Sequence, residues 1–328
     1  MEISMKKSLA GILFAAIFPM SSMASTVVEL NLGHVLAPQS HYHAVATRMA
    51  ELALEKSNNT LKINVFPSGQ LGGEVKLIQS ARTGAVPLVI TGEPPLENTV
   101  KEFGIFSLPY LFPDLDSANR ALQADFGKKM LGYLDQHGLI GLGWISVQER
   151  NIYGSQKIEA PADMKDLKIR VIQSPGYVDA YEKLGAQATP MAYSEVYLAL
   201  QTGVIDGGET SPDLMIDDKF AEVSKFYNMV KIHYMPCVII MSKSAFNRLS
   251  PDHQKVIQEA ADEAAAHGIK FYGDAYKASL DAMTKSGVTI VQSDIAAFKD
   301  LTAGLYGPLL KNVPNGQENV DLARQAAQ

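Results

Sequence analysis

Arg170 sits in Leu167-Lys-Ile-Arg-Val-Ile172, where Leu167, Ile169 and Val171 alternate with Lys168 and Arg170. That period of two is the pattern of a half-buried strand. A guanidinium on a strand rides on a rigid element, stays charged, and presents a planar donor fork that matches a carboxylate. Alone, such an arginine more often just pairs with a neighbouring acid. Here the strand runs on toward Tyr193-Ser-Glu-Val-Tyr-Leu-Ala-Leu-Gln-Thr-Gly-Val-Ile-Asp-Gly207, and the two segments together point to a site for a small organic acid. Arg150, in Gln148-Glu-Arg-Asn-Ile-Tyr153, offers a second cation just after another strand-like run.

Other groups with chemical potential are weaker. Glu74 opens a helix, where a carboxylate favours the positive end of the dipole; alternatively it lines a cleft beside a glycine loop and accepts hydroxyl hydrogen bonds. His41 and His43 are spaced for metal ligands on a strand, but a helix start makes them diverge, and no cysteine or acid cluster accompanies them. No metal is expected. Asp217-Asp218 reads as solvated surface or a partner for Lys219. Cys237, the single cysteine, begins the apolar run Cys-Val-Ile-Ile-Met241 and reads as a buried structural thiol. The chain has no Gly-x-Ser-x-Gly elbow, no phosphate-cradling glycine loop and no His-Glu-x-x-His, and Gly141-Leu-Gly143 lacks the third glycine of a dinucleotide site.

The elements that would position these residues alternate between strand and helix, which predicts an α/β fold. Strands are expected at 28–32, 61–66, 86–90, 139–144, 167–172, 226–235 and 237–242. Helices are expected at 41–56, from Glu74 to near Gly84, at 117–136 and at 194–202, with a turn or short helix over 161–165. Ser250-Pro251-Asp252 is a strong helix start, with a capping serine, proline in the first turn and then an acid. Ala- and Lys/Glu-rich sequence follows to Ser286, and roughly 35 residues at about 1.5 Å each make a helix of roughly 50 Å, longer than one lobe is wide. It is expected to cross between two lobes, with Gly268 and Gly273 as places where it could bend. The expected division is lobe I at 25–148 plus 236–275, and lobe II at 149–235 plus 276–328.

The first residues are different. Lys6 and Lys7 precede an apolar run from Leu9 to Phe18, and small residues at Ser22 and Ala24 follow, which reads as a signal peptide over 1–24. The run is about half of a membrane span. The formal net charge is −6, and losing this leader makes the remainder one unit more acidic. Such a chain is a poor partner for nucleic acid or an anionic membrane, so any anion is held by a local site.

Four stretches resemble the DctP-type extracytoplasmic receptors of TRAP transporters: Phe66-Pro-Ser-Gly-Gln-Leu-Gly-Gly-Glu74, Leu108-Pro-Tyr-Leu-Phe112, Leu167-Lys-Ile-Arg-Val171, and Gly185-Ala-Gln-Ala-Thr-Pro-Met191 with the segment that follows it. The resemblance implies two α/β lobes joined by hinge strands and braced by the long helix. It also implies capture of a small organic acid, without cofactor or catalysis, by a periplasmic monomer that hands the acid to small and large membrane subunits of an ion-driven symporter. By the same resemblance Arg170 forks onto the ligand carboxylate and Arg150 adds charge, although relatives read Gly-Phe-Arg or Gly-Trp-Arg where this chain has Gln148-Glu149-Arg150. Glu74, Gln39, His34 and Thr210 are candidates for reading hydroxyl or keto groups, and Tyr193 for covering an apolar face. The family's Asp-Gly-Gln-Glu-Asn-Pro is here Asp206-Gly-Gly-Glu-Thr210-Ser-Pro212, so a ligand-touching asparagine is replaced by a shorter side chain with fewer donors. The number of polar candidates favours a sugar acid over a C4-dicarboxylate. The rival readings are a receptor for an ABC importer and an exported α/β enzyme acting on an acid.

Overall fold

The computed structural model describes residues 26–328; the expected leader, 1–24, lies outside them. Nine strands form one sheet: β1 Val28–Gly33, β2 Leu61–Phe66, β3 Leu88–Gly92, β4 Leu139–Gly154, β5 Lys168–Val171, β6 Gln187–Pro190, β7 Gly207–Thr210, β8 Phe226–Ser242 and β9 Thr289–Gln292. Their order is β2-β1-β3-β8-β4-β7-β5-β6, with β9 beside β8. β1 runs parallel to β2 and β3, and β5 runs parallel to β6 and β7. Between these parallel ends lies the antiparallel β4–β8 ribbon, whose 16- and 17-residue strands serve both. The result is two α/β lobes sharing a central ribbon.

The ribbon explains two departures from expectation. β4 continues ten residues past Trp144, to Gly154. β8 runs through Pro236 as one strand where the proline predicts two. Pro236 carbonyl oxygen accepts from Glu93 N at 2.9 Å, just beyond the end of β3. The N–H that Pro236 lacks would point the same way, where β3 has already turned off, so no ladder bond is lost. The short strands β6, β7 and β9 carry too few residues for a clear pattern. The expected helix over 117–136 is two helices, Leu115–Gln123 and Asp125–Gly132, separated by extended Ala124. Gly127 lets them pack tightly: a Cβ there would stand 1.8 Å from the Leu122 carbonyl oxygen.

The long helix is Pro251–Lys285, capped by Ser250, whose Oγ accepts from His253 N. It buries Ile257, Ala260, Ala261, Ala264 and Ala265 in a core shared with the helix His41–Lys56 and with Ile145 of β4. Gly268 is a close-approach position, not a bend, because a Cβ there would meet Val45 at 2.5 Å and the Ile145 carbonyl oxygen at 2.6 Å. Farther along, Tyr272 OH accepts from Glu149 N, and Tyr276 OH donates to the buried Glu149 carboxylate at 2.8 Å. The helix is thereby tied to the ribbon midpoint.

The last helix, Gly316–Ala326, buries Val320 and Ala323 against Leu122 and Phe126, and Ala327 carbonyl oxygen accepts from Arg120 at 2.8 Å. Residues 316–327 therefore pack on the two helices over 115–132, whose open face their apolar stripe matches.

The ribbon is irregular at its midpoint. Lys231 in β8 has φ 49°, a left-handed conformation costly for a side chain with a Cβ. Opposite it, β4 carries an irregularity between Arg150 and Ile152. Asn151 Oδ1 holds Lys231 N at 2.8 Å, fixing the kink.

Candidate ligand-binding site

Arg150 and Arg170 meet at the ribbon midpoint, each about 2% exposed. Between them lies Glu209 of β7, which sequence reading had not singled out. Arg150 Nε donates to Glu209 Oε2 at 2.5 Å, and Arg150 Nη2 donates to the Glu209 carbonyl oxygen at 2.8 Å. Arg170 Nη1 lies 3.6 Å from Glu209 Oε1. Arg170 Nε and Nη2 both donate to the Met191 carbonyl oxygen, at 3.3 and 3.0 Å. Its side edge is thus committed and its outer Nη1/Nη2 edge remains to take a carboxylate. The strand is not half-buried here: Ile169, Arg170 and Val171 are all buried. Two buried guanidiniums pair with one carboxylate, Glu74 lying near enough to feel both charges but not to pair with either, which leaves a free donor edge suited to one more anion.

The other predicted residues divide. Glu74 Oε1 accepts from Thr91 Oγ1 at 3.1 Å and Gly92 N at 3.2 Å; burial raises its pKa, opposed by Gly92, Arg170, Thr91 and Arg150. The Tyr193 ring lies 5.7 Å from the Arg170 guanidinium carbon, in cation–π range. Its hydroxyl donates to Asp218 Oδ2 at 2.7 Å, so Asp218 is no solvated surface acid. Burial lifts the pKa of both Asp217 and Asp218 to about 6. Thr210 is buried beside Glu209 with its hydroxyl unpaired, and His34 is buried at the end of β1 with Nδ1 unpaired. Gln39 is the exception. It is exposed in the loop before the first helix and lines a surface groove with His43, His267 and Phe271. The bend after β1 turns it away from the arginines.

Unpaired buried polar atoms reveal members that the sequence did not. Glu93 follows β3, is fully buried, and has neither carboxyl oxygen bonded; burial pushes its pKa well up, with Glu97 and Cys237 adding to the shift. Tyr177 and Tyr181 have unpaired hydroxyls and feel the charges of Glu209 and Arg150. His233 of β8 stacks on Tyr177 at 4.2 Å between centroids, donates from Nε2 to the Ser107 carbonyl oxygen at 3.1 Å, and has Nδ1 unpaired. Buried polar groups are normally bonded, so such a cluster beside two guanidiniums marks a polar ligand site. None of these residues lies in a local motif; only the fold brings them together.

A relay runs from Arg150 toward lobe I. Arg150 Nη1 donates to Gln148 Oε1 at 2.6 Å, Gln148 Nε2 meets His41 Nε2 at 2.9 Å, and His41 Nδ1 meets Asp213 Oδ2 at 2.9 Å. Burial opposes the charged form of His41, yet the hydrogen bonds and charges of Asp213 and Cys237 lift its pKa to about 9. The relay argues the other way. A guanidinium never deprotonates, so it fixes the Gln148 oxygen, and the amide NH2 then needs a bare His41 Nε2. We assign neutral His41 with its proton on Nδ1, because the charged form would set donor against donor. Gln148 makes this relay possible, because its amide joins Arg150 to His41.

The lobes are shut. Asn98 Nδ2 donates to Gln173 O at 2.8 Å, and Glu97 Oε2 accepts from Ser107 and Ser174. A Cβ on Gly176 would stand 2.3 Å from Ser107 Cβ. Gly176→Ala is therefore expected to hold the lobes ajar. Small-angle scattering should show a larger radius with ligand present, and affinity should fall about tenfold with folding intact. A radius and affinity equal to wild type would refute this.

Two buried histidines set a pH dependence. Burial, aided for His34 by His43 and His41, pushes the pKa of His34 and His233 down to about 3. Their contribution is complete above the unfolded value and is lost as pH falls toward the folded one. Each should withdraw about 1.4 kcal/mol per pH unit below about 6.5. Asp217 and Asp218 act oppositely, gaining stability as pH falls through about 6. Glu74 and Glu93, also raised by burial, act with the two aspartates, so in denaturant melts between about pH 7 and pH 5 the histidine loss is read as the difference between the wild-type profile and that of His34→Gln with His233→Gln. An unchanged slope in the double variant would contradict the assignment.

A closed two-lobed α/β fold with a buried cationic centre defines a protein that engulfs a small anion. The chain belongs to the DctP family, described as bacterial extracellular solute-binding protein, family 7, which it matches over residues 32–312. It is 28% identical over 306 residues (92% of this chain, 93% of the relative) to the 2,3-diketo-L-gulonate-binding periplasmic protein YiaO of Escherichia coli K12. It is 27% identical over 306 residues (91% of each) to the C4-dicarboxylate-binding periplasmic protein DctP of Rhodobacter capsulatus. Among solved structures, the sugar acid binding protein DctPAm of Advenella mimigardefordensis in complex with galactonate superposes with TM-score 0.89 at 28% identity, covering 92% of this chain and 99% of that one. The protein is thus an extracytoplasmic solute-binding protein of transport, not an enzyme. No helix among the described residues is long and apolar enough to cross a membrane.

Proposed function

We propose that this chain captures a sugar acid in the closed cleft. The observation that carries the reading is the buried cluster Arg150–Glu209–Arg170, with Glu74, Glu93, Tyr177 and His233 close enough to feel its charges or one another's and His34 and Thr210 as further candidates. One ligand carboxylate docks on the outer edge of Arg170, with Arg150 adding charge. The remaining groups read hydroxyl and keto oxygens, and Tyr193 covers an apolar face. A C4-dicarboxylate fits less well, because its second carboxylate would meet Glu74, Glu93 and Glu209 with no third cation. The DctPAm galactonate complex and the diketogulonate-binding relative support the same preference, and the Rhodobacter relative is the counter-example.

The lobes are taken as 25–148 with 236–275, and 149–235 with the segment after 276 up to the last helix. Residues 1–24 act as an export leader, and the loaded monomer delivers its acid to small and large membrane subunits of a TRAP symporter. Calorimetric titration with galactonate, galacturonate, 2,3-diketogulonate, succinate and malate tests the ligand class. The reading stands if a sugar acid binds stoichiometrically and at least about tenfold tighter than either dicarboxylate, a gap of about 1.4 kcal/mol. Tightest binding of a dicarboxylate, or conversion of the bound acid to a product, overturns it.

A further inference from the structure

A second cavity lies on the back of the hinge, away from the arginine pair. Its volume is about 730 Å³, within the range of small-molecule sites. Its walls come from both lobes. Lobe I supplies the segment Pro109–Pro113, Arg120, and the chain end with Arg324. Lobe II supplies Lys299 and Thr302 of the helix Ile295–Thr302, which is anchored there by Phe298 in one core with Met164 and Tyr181.

The lining is cationic and aromatic. Lys299 Nζ lies 5.4 Å from the Tyr110 ring centre, and the Arg324 guanidinium carbon 5.2 Å from that of Tyr306. Arg120 donates to Ser117 and to the Ala327 carbonyl oxygen. Among the described residues no carboxylate forms an ion pair with Arg120, Lys299 or Arg324. Gln328 also lines the cavity. In a chain of formal net charge −6, such a cluster is a local reversal of sign.

The floor of the cavity touches the ribbon midpoint. Tyr110 N donates to Ile232 O at 2.9 Å, and Tyr110 OH donates to Val230 O at 2.9 Å. The two carbonyls flank Lys231, the left-handed residue of β8. Whatever packs on the Tyr110 ring and pairs with Lys299 therefore grips the hinge from one lobe and the other at once.

We propose that this cavity binds an amphipathic organic anion, a flat apolar body carrying one acidic group, and that its occupancy is linked to closure of the front cleft. The apolar body would lie between Tyr110 and Tyr306, with the acid among Lys299, Arg324 and Arg120. A ligand touching both lobes prefers one interlobe angle, and by linkage it changes affinity at the cleft by the same factor that a cleft ligand changes its own. The linkage half of the proposal rests on capture of an acid between closing lobes; the binding half does not.

The probe is 2-naphthoate, with neutral 2-naphthamide as control, titrated into the full chain and followed by fluorescence and calorimetry. Saturable naphthoate binding is expected, with the amide about tenfold weaker and Lys299→Ala/Arg324→Ala about tenfold weaker for naphthoate. Equal binding of acid and amide, or unchanged binding by the double variant, overturns the site. Galacturonate is then titrated with and without saturating naphthoate. A change of about fivefold or more in affinity, matched by the reciprocal change for naphthoate, is expected. Identical galacturonate affinity overturns the linkage, and direct displacement of one by the other overturns the separate site. If no sugar acid binds the cleft at all, the naphthoate titration still reads the cavity, so the two readings fail separately.

Discussion

Arg170→Ala is expected to lower affinity for the true acid by two to four decades while leaving a folded protein. The guanidinium is buried, its side edge is held by Met191 O, and its outer edge faces the centre shared with Arg150 and Glu209. Removing it strands a desolvated carboxylate, at a cost of roughly 3–5 kcal/mol. The fold should survive because Arg150 keeps its own bonds to Glu209 and Gln148, and the excess positive charge at the centre falls. Arg170→Lys should fail nearly as badly, since an ammonium cannot hold Met191 O on one side and fork onto a carboxylate on the other. Calorimetry on both variants, beside their melting curves, makes the check. Affinity within about threefold of wild type for Arg170→Ala would remove Arg170 from the mechanism.

How much of this was legible in the sequence depends on the range of the interaction. The long helix was readable from end to end because Ser250, Pro251 and Asp252 mark its start, Gly287 its stop, and local rules govern both. Arg170 and Arg150 were candidates from their own strand-like stretches and Glu74 and Tyr193 from the family resemblance, and the fold brings these side chains near one another. Glu93, Tyr177 and His233 were not, since each sits in an unremarkable segment and acquires meaning only by lying buried without a partner. Glu209 stood inside a quoted motif, yet nothing local said that one carboxylate would serve two arginines from different strands. Gln39 stands apart for the converse reason: it lies in the exposed loop after the bend that follows β1. Pro236 shows the same limit for the fold. A local rule breaks the strand there, and only the place where β3 ends removes the penalty.

Glu209→Gln separates a ligand centre from a merely structural ion pair. In the wild type one carboxylate lies 2.5 Å from Arg150 Nε and 3.6 Å from Arg170 Nη1, with all three side chains buried. The amide keeps the shape and a carbonyl acceptor for Arg150, but it leaves two adjacent buried cations with only the more distant Glu74 as counter-charge. Breaking such a pair costs about 3–5 kcal/mol, so the ligand-free variant should melt several degrees below wild type. The ligand brings the missing charge. Its carboxylate offsets one guanidinium in either protein, but in the variant it also relieves the repulsion that Glu209 normally screens. Saturating ligand should therefore raise the melting temperature of Glu209→Gln by more than it raises that of wild type, an inversion that a purely structural carboxylate would not produce. Equal ligand-induced shifts in the two proteins would mean that the acid docks away from this pair, and with it would go the reason for placing the carboxylate between Arg150 and Arg170.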